Sequence, residues 1–380
     1  MTIYVVKSGD TLYSISREFQ TTPTDLIREN GLTNPENLVV GQALVIPPAP
    51  DFDPSTLPVL AVNGYSYPYI ESEVLKRTIP YLTSLTLFTY GFTPDGSIVL
   101  LDDEKALSIL AGTDVKPVLL FSSYTEQGTF SNELSSTLLN NEALQDLVLE
   151  RLLAIMDEKG YYALDVDFEY VFPSDKDAYV AFLLKATTFM NEAGHPVYAA
   201  LAPKTSADQP GLLYEAHDYF AIGRVVNKVL IMTYEWGYRY SAPMPTAPLN
   251  KVKQVLDYAI TEIPPDKIIM GIPNYGYQWA LPYVQGTPAA SLGNAAAVEL
   301  AARYHAEILF DETAMVPYFY YTDENFQEYV VWFEDVRSIQ AKLQTALDYG
   351  FYGVSYWTVM RFFPENWAVV SQMVQTLKIP

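Results

Sequence analysis

The run GYYALDVDFEYVFP, residues 160–173, alternates in side-chain character from one position to the next. In an extended chain, residues two apart share a face, so Asp165, Asp167 and Glu169 point one way and Leu164, Val166 and Phe168 the other. Same-face positions rise about 6.6 Å along a strand, which keeps Asp165 and Glu169 apart while Asp167 can turn toward either. Ala163, one layer below on the acidic face, leaves room for them. On a solvated edge strand such a trio would be unremarkable. On an inner strand it is costly, because burial and like charge both favour holding a proton and few basic residues stand nearby to compensate. A carboxyl kept protonated near neutral pH can give its proton to a glycosidic oxygen, and Glu169, at the C-terminal end, is placed to reach substrate. Asp167 can share a proton with Asp165 and release it toward the reacting centre. A divalent-metal site is the competing use of these carboxylates. It lacks a second Asp, Glu or His cluster at neighbouring strand ends, so neither a metal nor another cofactor is expected.

Outward from that strand, short apolar runs alternate with helical patterns. The strand candidates are residues 59–64, 84–89, 116–121, 161–168, 196–202, 229–234, 267–272 and 353–357. Helical periodicity falls at 141–159, 175–191, 248–260 and 336–348, which implies parallel pairing of buried strands. A count of eight favours a (β/α)₈ TIM barrel, an α/β fold with its functional face at the C-terminal strand ends. An open doubly wound sheet is the alternative, but no GxGxxG or GxxxxGK[ST] turn follows any strand. The longest break in the alternation is residues 280–335, with a helical run at 294–306 and the aromatic pieces VPYFYYTD and YVVWFED. It reads as an insertion between the seventh and eighth strands that walls one side of a cleft.

The chain of 380 residues is 49% hydrophobic and 14% aromatic, enough for one large core and a small companion domain. Its formal net charge of -22 repels a phosphate backbone, so nucleic acid is a poor partner. With no Cys there is no disulfide or thiolate chemistry, and His195, His217 and His305 are scattered rather than in a metal-binding pattern. The N-terminus lacks the basic and apolar regions of a classical signal peptide, and no apolar stretch is long enough to span a membrane. A monomer is the expected state.

Residues 1–47 carry a pattern of their own, in the order strand, helix, helix, strand. An alternating run at 3–6 leads into the turn Ser8-Gly9-Asp10, Thr11 precedes the helically spaced Leu12, Ile15 and Phe19, and Pro23 opens a second helix that Gly31 stops. YVVKSGDTLYSISREFQTTPTDLIRENGLTNPENLVVGQALVIP resembles the LysM carbohydrate-binding module over its whole length. The resemblance implies a shallow groove for N-acetylglucosamine chains between residues 9–12 (Gly9, Asp10, Thr11, Leu12) and 34–38 (Asn34 and Leu38 among them). Read from the residues alone, Gly9 and Asp10 make a tight turn and Thr11 a helix cap. The proline-rich residues 48–58 follow as a linker, either an extended tether or a spacer packed on the next domain, and residues 59–380 form the barrel.

YALDVDFE, residues 162–169, also resembles the DGxDxDxE pattern of glycoside hydrolase family 18, with the leading Asp and Gly replaced by Tyr162 and Ala163. APKTSADQPGLLYEAHDYFAIG, IMTYEWGY, VWFEDVRSI and GVSYW are similar to the family's bacterial spore-cortex N-acetylglucosaminidase branch, whose members carry LysM modules. The resemblance implies retaining, substrate-assisted hydrolysis, outside the two-carboxylate scheme. Glu169 would be acid and then base, Asp167 would orient the substrate acetamido N–H, and Asp165 would support Asp167. Tyr234 would face the acetamido carbonyl, Glu235 would contact the sugar, and Trp357 would be an apolar floor. Asn63, Tyr90, Lys204, Tyr275 and Trp279 lie near strand C-termini and are further candidates for sugar contact. The expected partner is peptidoglycan or a related N-acetylglucosamine polymer, and the expected place is the spore coat, cortex or cell wall. A chitinase of the same mechanism and a non-catalytic glycan binder on the same barrel are the alternatives.

Overall fold

Eight parallel strands close on themselves, as the alternation of apolar runs and helices requires. In the computed structural model, which describes residues 1–125 and 128–380, they are Val59–Ser66, Ser84–Phe92, Lys116–Ser122, Ala163–Asp167, Val197–Leu201, Lys228–Ile231, Ile268–Pro273 and Gly353–Trp357. Each pairs with the next, and the eighth returns to the first with Gly353 opposite Ala61 and Tyr356 opposite Gly64.

The fourth strand divides its faces by the period of two. Leu164, Val166 and Phe168 are buried between the sheet and the outer helices, where Phe168 stacks on Tyr179 and Phe182. Cutting Phe168 back to Ala would cost about 3–5 kcal/mol. On the other face Ala163 stands opposite Val118, and Asp165 lies between Leu120 and Tyr198. Val118 and Tyr198 make the lower interior layer, and Leu120, Ala200, Leu230 and Ile269 fill the axis above it.

The second strand breaks the rule. Its register against the third shifts between Leu87 and Tyr90, and a shift of one residue turns the following side chains to the opposite face. Thr86 and Phe88 face the interior, yet Tyr90 lies in the outer core with Leu87.

Between the seventh and eighth strands the insertion forms an antiparallel five-stranded sheet ordered Ala290–Leu292, Gly276–Leu281, Glu328–Trp332, Val316–Thr322, Leu309–Asp311, with the helix Asn294–Arg303 beside it. It begins at Gly276 rather than at residue 280, because the alternating stretch after Asn274 already pairs with Glu328–Trp332.

At the N-terminus, Thr2–Val5 pairs with Ala43–Ile46, and the helices Leu12–Glu18 and Pro23–Asn30 pack beside them. The buried Asn30 amide ties helix to strand, donating to the Val45 carbonyl at 2.8 Å while its oxygen accepts from the Val45 N–H at 2.7 Å. This module is seated on the barrel. Val39 is part of the insertion's core, Ala43 and Val45 join the barrel's, and the Ile308 N–H donates to the Val40 carbonyl at 2.9 Å. Gly41 permits that approach: its φ is +84°, and a Cβ there would lie 1.8 Å from the Ile308 oxygen. The end of the proline-rich stretch meets the C-terminal segment, where the Gln375 amide donates to the carbonyls of Ser55 and Leu57. Among the described residues no helix is long and apolar enough to cross a membrane.

Candidate active site

The acid trio rises through the barrel in three environments. Asp165 is 1% exposed, and its Oδ2 accepts a hydrogen bond of 2.5 Å from the Tyr65 hydroxyl. Burial lifts its carboxyl to about 6, against the lowering effect of that bond. Asp167, one layer higher and opposite Ser122, is buried with its Oδ1 unpartnered among the described residues. Burial, then the charges of Glu169 and Asp165, push it well above the ordinary carboxylate range. Glu169 lies just past the strand end and is half-buried; burial, then the charge of Glu235, raise it to about 7. Among the described residues none of these acids forms an ion pair, so protons rather than cations relieve their repulsion.

Around them stand residues from other strand ends. Tyr234 follows the sixth strand, and its ring passes over Gly271 of the seventh, where a Cβ would lie 2.7 Å from Cε1. Glu235 holds φ +66°, a left-handed conformation uncommon outside glycine, and its carboxylate accepts from the hydroxyls of Tyr275 and Tyr277. Its carboxyl is raised by burial although those two bonds oppose the shift. Trp357 ends the eighth strand with half-exposed indole, packed on Tyr65 at 5.6 Å and Phe88 at 5.4 Å between ring centres. A cavity of about 660 Å³ opens beside Glu169, Tyr234 and Glu235.

The structure therefore brings Asp165, Asp167, Glu169, Tyr234, Glu235, Tyr275 and Trp357 to one face. The remaining candidates have their polar atoms engaged by the protein itself. Tyr90, turned outward by the register shift, gives its hydroxyl proton to Asp103 and receives one from Lys159 at 3.0 Å. Lys204 is 2% exposed and spends its ammonium on the carbonyls of Ala207 and His217, pinning the loop after the fifth strand. Asn63 lies deeper, engaged by Ser84, Thr86 and Ser355. Trp279 stands behind Tyr277 and donates its indole N–H to the Ser241 carbonyl at 2.9 Å.

In the N-terminal module, Asp10 accepts from the Tyr4 hydroxyl and the Lys7 N–H, Thr11 caps the first helix, and Leu12 is in the module's core. Leu12 is buried, Asp10 is half-buried and Thr11 is exposed, and Gly9, at φ +86°, has nothing near its Cβ direction. Asn34 and Leu38 line a small cavity against the helix Asn294–Arg303. Sequence reasoning missed Tyr65 and Tyr277. The first was findable, since it shares Asn63's face by the period of two. The second was not, because its partner Glu235 is brought to it only by the fold.

With the geometry in hand, comparison with known proteins is specific. Residues 66–361 match glycosyl hydrolases family 18, and residues 4–47 match the LysM domain. The chain is 38% identical to the cortical fragment-lytic enzyme of Bacillus subtilis (strain 168), over 100% of this chain and 99% of that protein. The crystal structure of the Bacillus megaterium QM B1551 spore cortex-lytic enzyme SleL superposes with a TM-score of 0.94 at 35% identity, covering 100% of this chain and 99% of that one. A chitinase from Chromobacterium violaceum ATCC 12472, at 23% identity and a TM-score of 0.76 over 83% of this chain and 99% of that one, shares the fold. A closed barrel with buried carboxyls at its C-terminal mouth and a LysM module at its side defines a glycoside hydrolase. The chain belongs to glycosyl hydrolase family 18.

Proposed function

We propose that the protein hydrolyses β-1,4 bonds after N-acetylglucosamine in peptidoglycan, acting on the spore cortex. Residues 1–47 would hold the glycan, 48–58 connect, and 59–380 carry the chemistry. The observation that supports this most is a buried Asp167, its Oδ1 unpartnered among the described residues, two positions before Glu169 at the barrel end where Trp357 also stands half-exposed.

In this mechanism the acetamido sugar lies on Trp357 with its N–H donated to Asp167 and its carbonyl oxygen facing the Tyr234 hydroxyl. That oxygen attacks the sugar's own anomeric carbon as the glycosidic bond breaks, and Glu169 gives its proton to the leaving oxygen. Asp167 balances the positive charge of the oxazolinium-like intermediate, supported from below by Asp165 and Tyr65. The Glu169 carboxylate then takes a proton from water attacking the same carbon. The bond to the acetamido oxygen opens and the sugar leaves with its configuration retained. The cortical fragment-lytic and spore cortex-lytic names of the relatives favour the spore cortex as the place of action.

The test is the Glu169→Gln variant on peptidoglycan glycan. Binding should persist while turnover falls by about two to four orders of magnitude. Equal turnover in variant and parent would sink the reading.

A further inference from the structure

The cavity beside Glu169 is separate from the Trp357 floor. Its edge toward the barrel is Glu169, Tyr234 and Glu235, and Trp357 is not among its lining residues. Under the proposed mechanism the sugar whose acetamido group attacks lies on Trp357. The leaving sugar must then cross Glu169 and enter this cavity. Its wall mixes apolar and aromatic residues, Leu213, Tyr214 and Trp236 among them, with the polar Thr205, Ser206 and Gln209 from the loop after the fifth strand and Gln254 from the helix Leu249–Glu262. Among the described residues one cation lines it, Lys251.

Lys251 makes no ion pair and no side-chain hydrogen bond among the described residues, and its charged neighbours along the lining are the acids Glu169 and Glu235. Its place is also locally unfavourable. It sits in the first turn of its helix, which has no acidic residue and no side-chain cap, and a cation there opposes the helix dipole. A residue that breaks a local rule at the mouth of a reaction cleft, in a chain of net charge -22, points to a ligand with the opposite charge.

We propose that Lys251 selects a carboxylate on the leaving sugar, that is, a 3-O-linked acid such as the lactyl carboxylate of a muramic residue or the terminal carboxylate of a short stem attached to it. The inference rests on the hydrolase reading above and adds the charge of its aglycon. Lys251 touches no reacting atom, so its effect falls on discrimination between glycans. An uncharged polymer forgoes this contact and is the poorer substrate.

The experiment compares kcat/KM on three tetrasaccharides of alternating muramic acid and N-acetylglucosamine, bearing a free lactyl carboxylate, the same group capped as an amide, or an added alanine with a free carboxylate. Lys251→Met should lower kcat/KM about threefold to fivefold on a carboxylate form at low salt, with the loss fading near about 500 mM. Lys251→Glu should lower it further. The amide form should be cleaved equally by parent and Lys251→Met, and Lys253→Met, outside the cavity lining, should change nothing. A loss confined to the lactyl form or to the alanine form identifies which carboxylate is read. Equal losses on charged and amide forms, or none on either, would overturn the proposal while leaving the hydrolase reading intact. Absence of cleavage of every form by the parent would overturn both.

Discussion

Tyr65 and Asp165, 100 residues apart in the chain, meet inside the barrel through a hydroxyl-to-carboxylate bond of 2.5 Å. The bond satisfies one oxygen of the lowest acid, and the other, Oδ1, has no partner among the described residues. It opposes the effect of burial on that carboxyl. Tyr65 thus influences the trio while standing one layer beneath the reacting centre.

Tyr65→Phe should therefore act on chemistry through Asp165. Leaving a buried carboxyl wholly unpartnered costs about 1–3 kcal/mol, readable as a fall in melting temperature. In the pH profile of kcat, the acid limb should move upward, because the bond that lowers Asp165 is gone. A variant with parent-like kcat, KM and profile would show that Tyr65 only packs.

Gly271→Ala should damage the site without touching an acid. The new Cβ would meet Tyr234 Cε1 at 2.7 Å and the Ile231 carbonyl at 2.9 Å, and the backbone oxygen cannot swing aside. The expected cost is about 1–3 kcal/mol of stability, together with a loss of kcat. Combined with Tyr234→Phe, its effect on kcat should be less than additive, since both act on one hydroxyl; full additivity would argue that Gly271 and Tyr234 are independent.

Stability should fall as pH rises through the site's own titration. Asp165 near 6 and Glu169 near 7 keep protons that the unfolded chain has already lost above about 4.5, so between those values the folded state binds more protons. The slope of unfolding free energy against pH is then negative, and melting temperature should decline from about pH 5 to about pH 8. Glu169→Gln should flatten the decline at its upper end. A parent protein that becomes more stable across this window would contradict the assignment of protons to the trio.

Gly41→Ala should loosen the seat of the N-terminal module, because its backbone is left-handed and the added carbon would collide with the Ile308 carbonyl. Hydrogen exchange should rise at the amide of Ile308, which donates to Val40. Small-angle scattering should record a larger radius. Unchanged exchange and radius would mean that the remaining seam contacts suffice.

What the sequence made legible follows the physics of each segment. The fourth strand could be read residue by residue because its acids recur at the period of two against an apolar opposite face, and the neighbouring apolar runs mark it as an inner strand. Tyr90 could not, because a bulge is set by strand pairing across the sheet and leaves no local mark. Lys204 is three residues past the end of its strand, where the chain curls and alternation no longer reports direction. The seating of the LysM module was likewise hidden. Val39 reads as an ordinary apolar residue of a small domain until the insertion, some 260 residues later, supplies the core that receives it.

The most direct test of substrate-assisted retention is proton NMR of the first product formed from a muramic acid and N-acetylglucosamine tetrasaccharide, read before mutarotation. The account predicts a new reducing end on N-acetylglucosamine that appears first as the β-anomer. An initial α-anomer, or a reducing end on the muramic sugar, would contradict it.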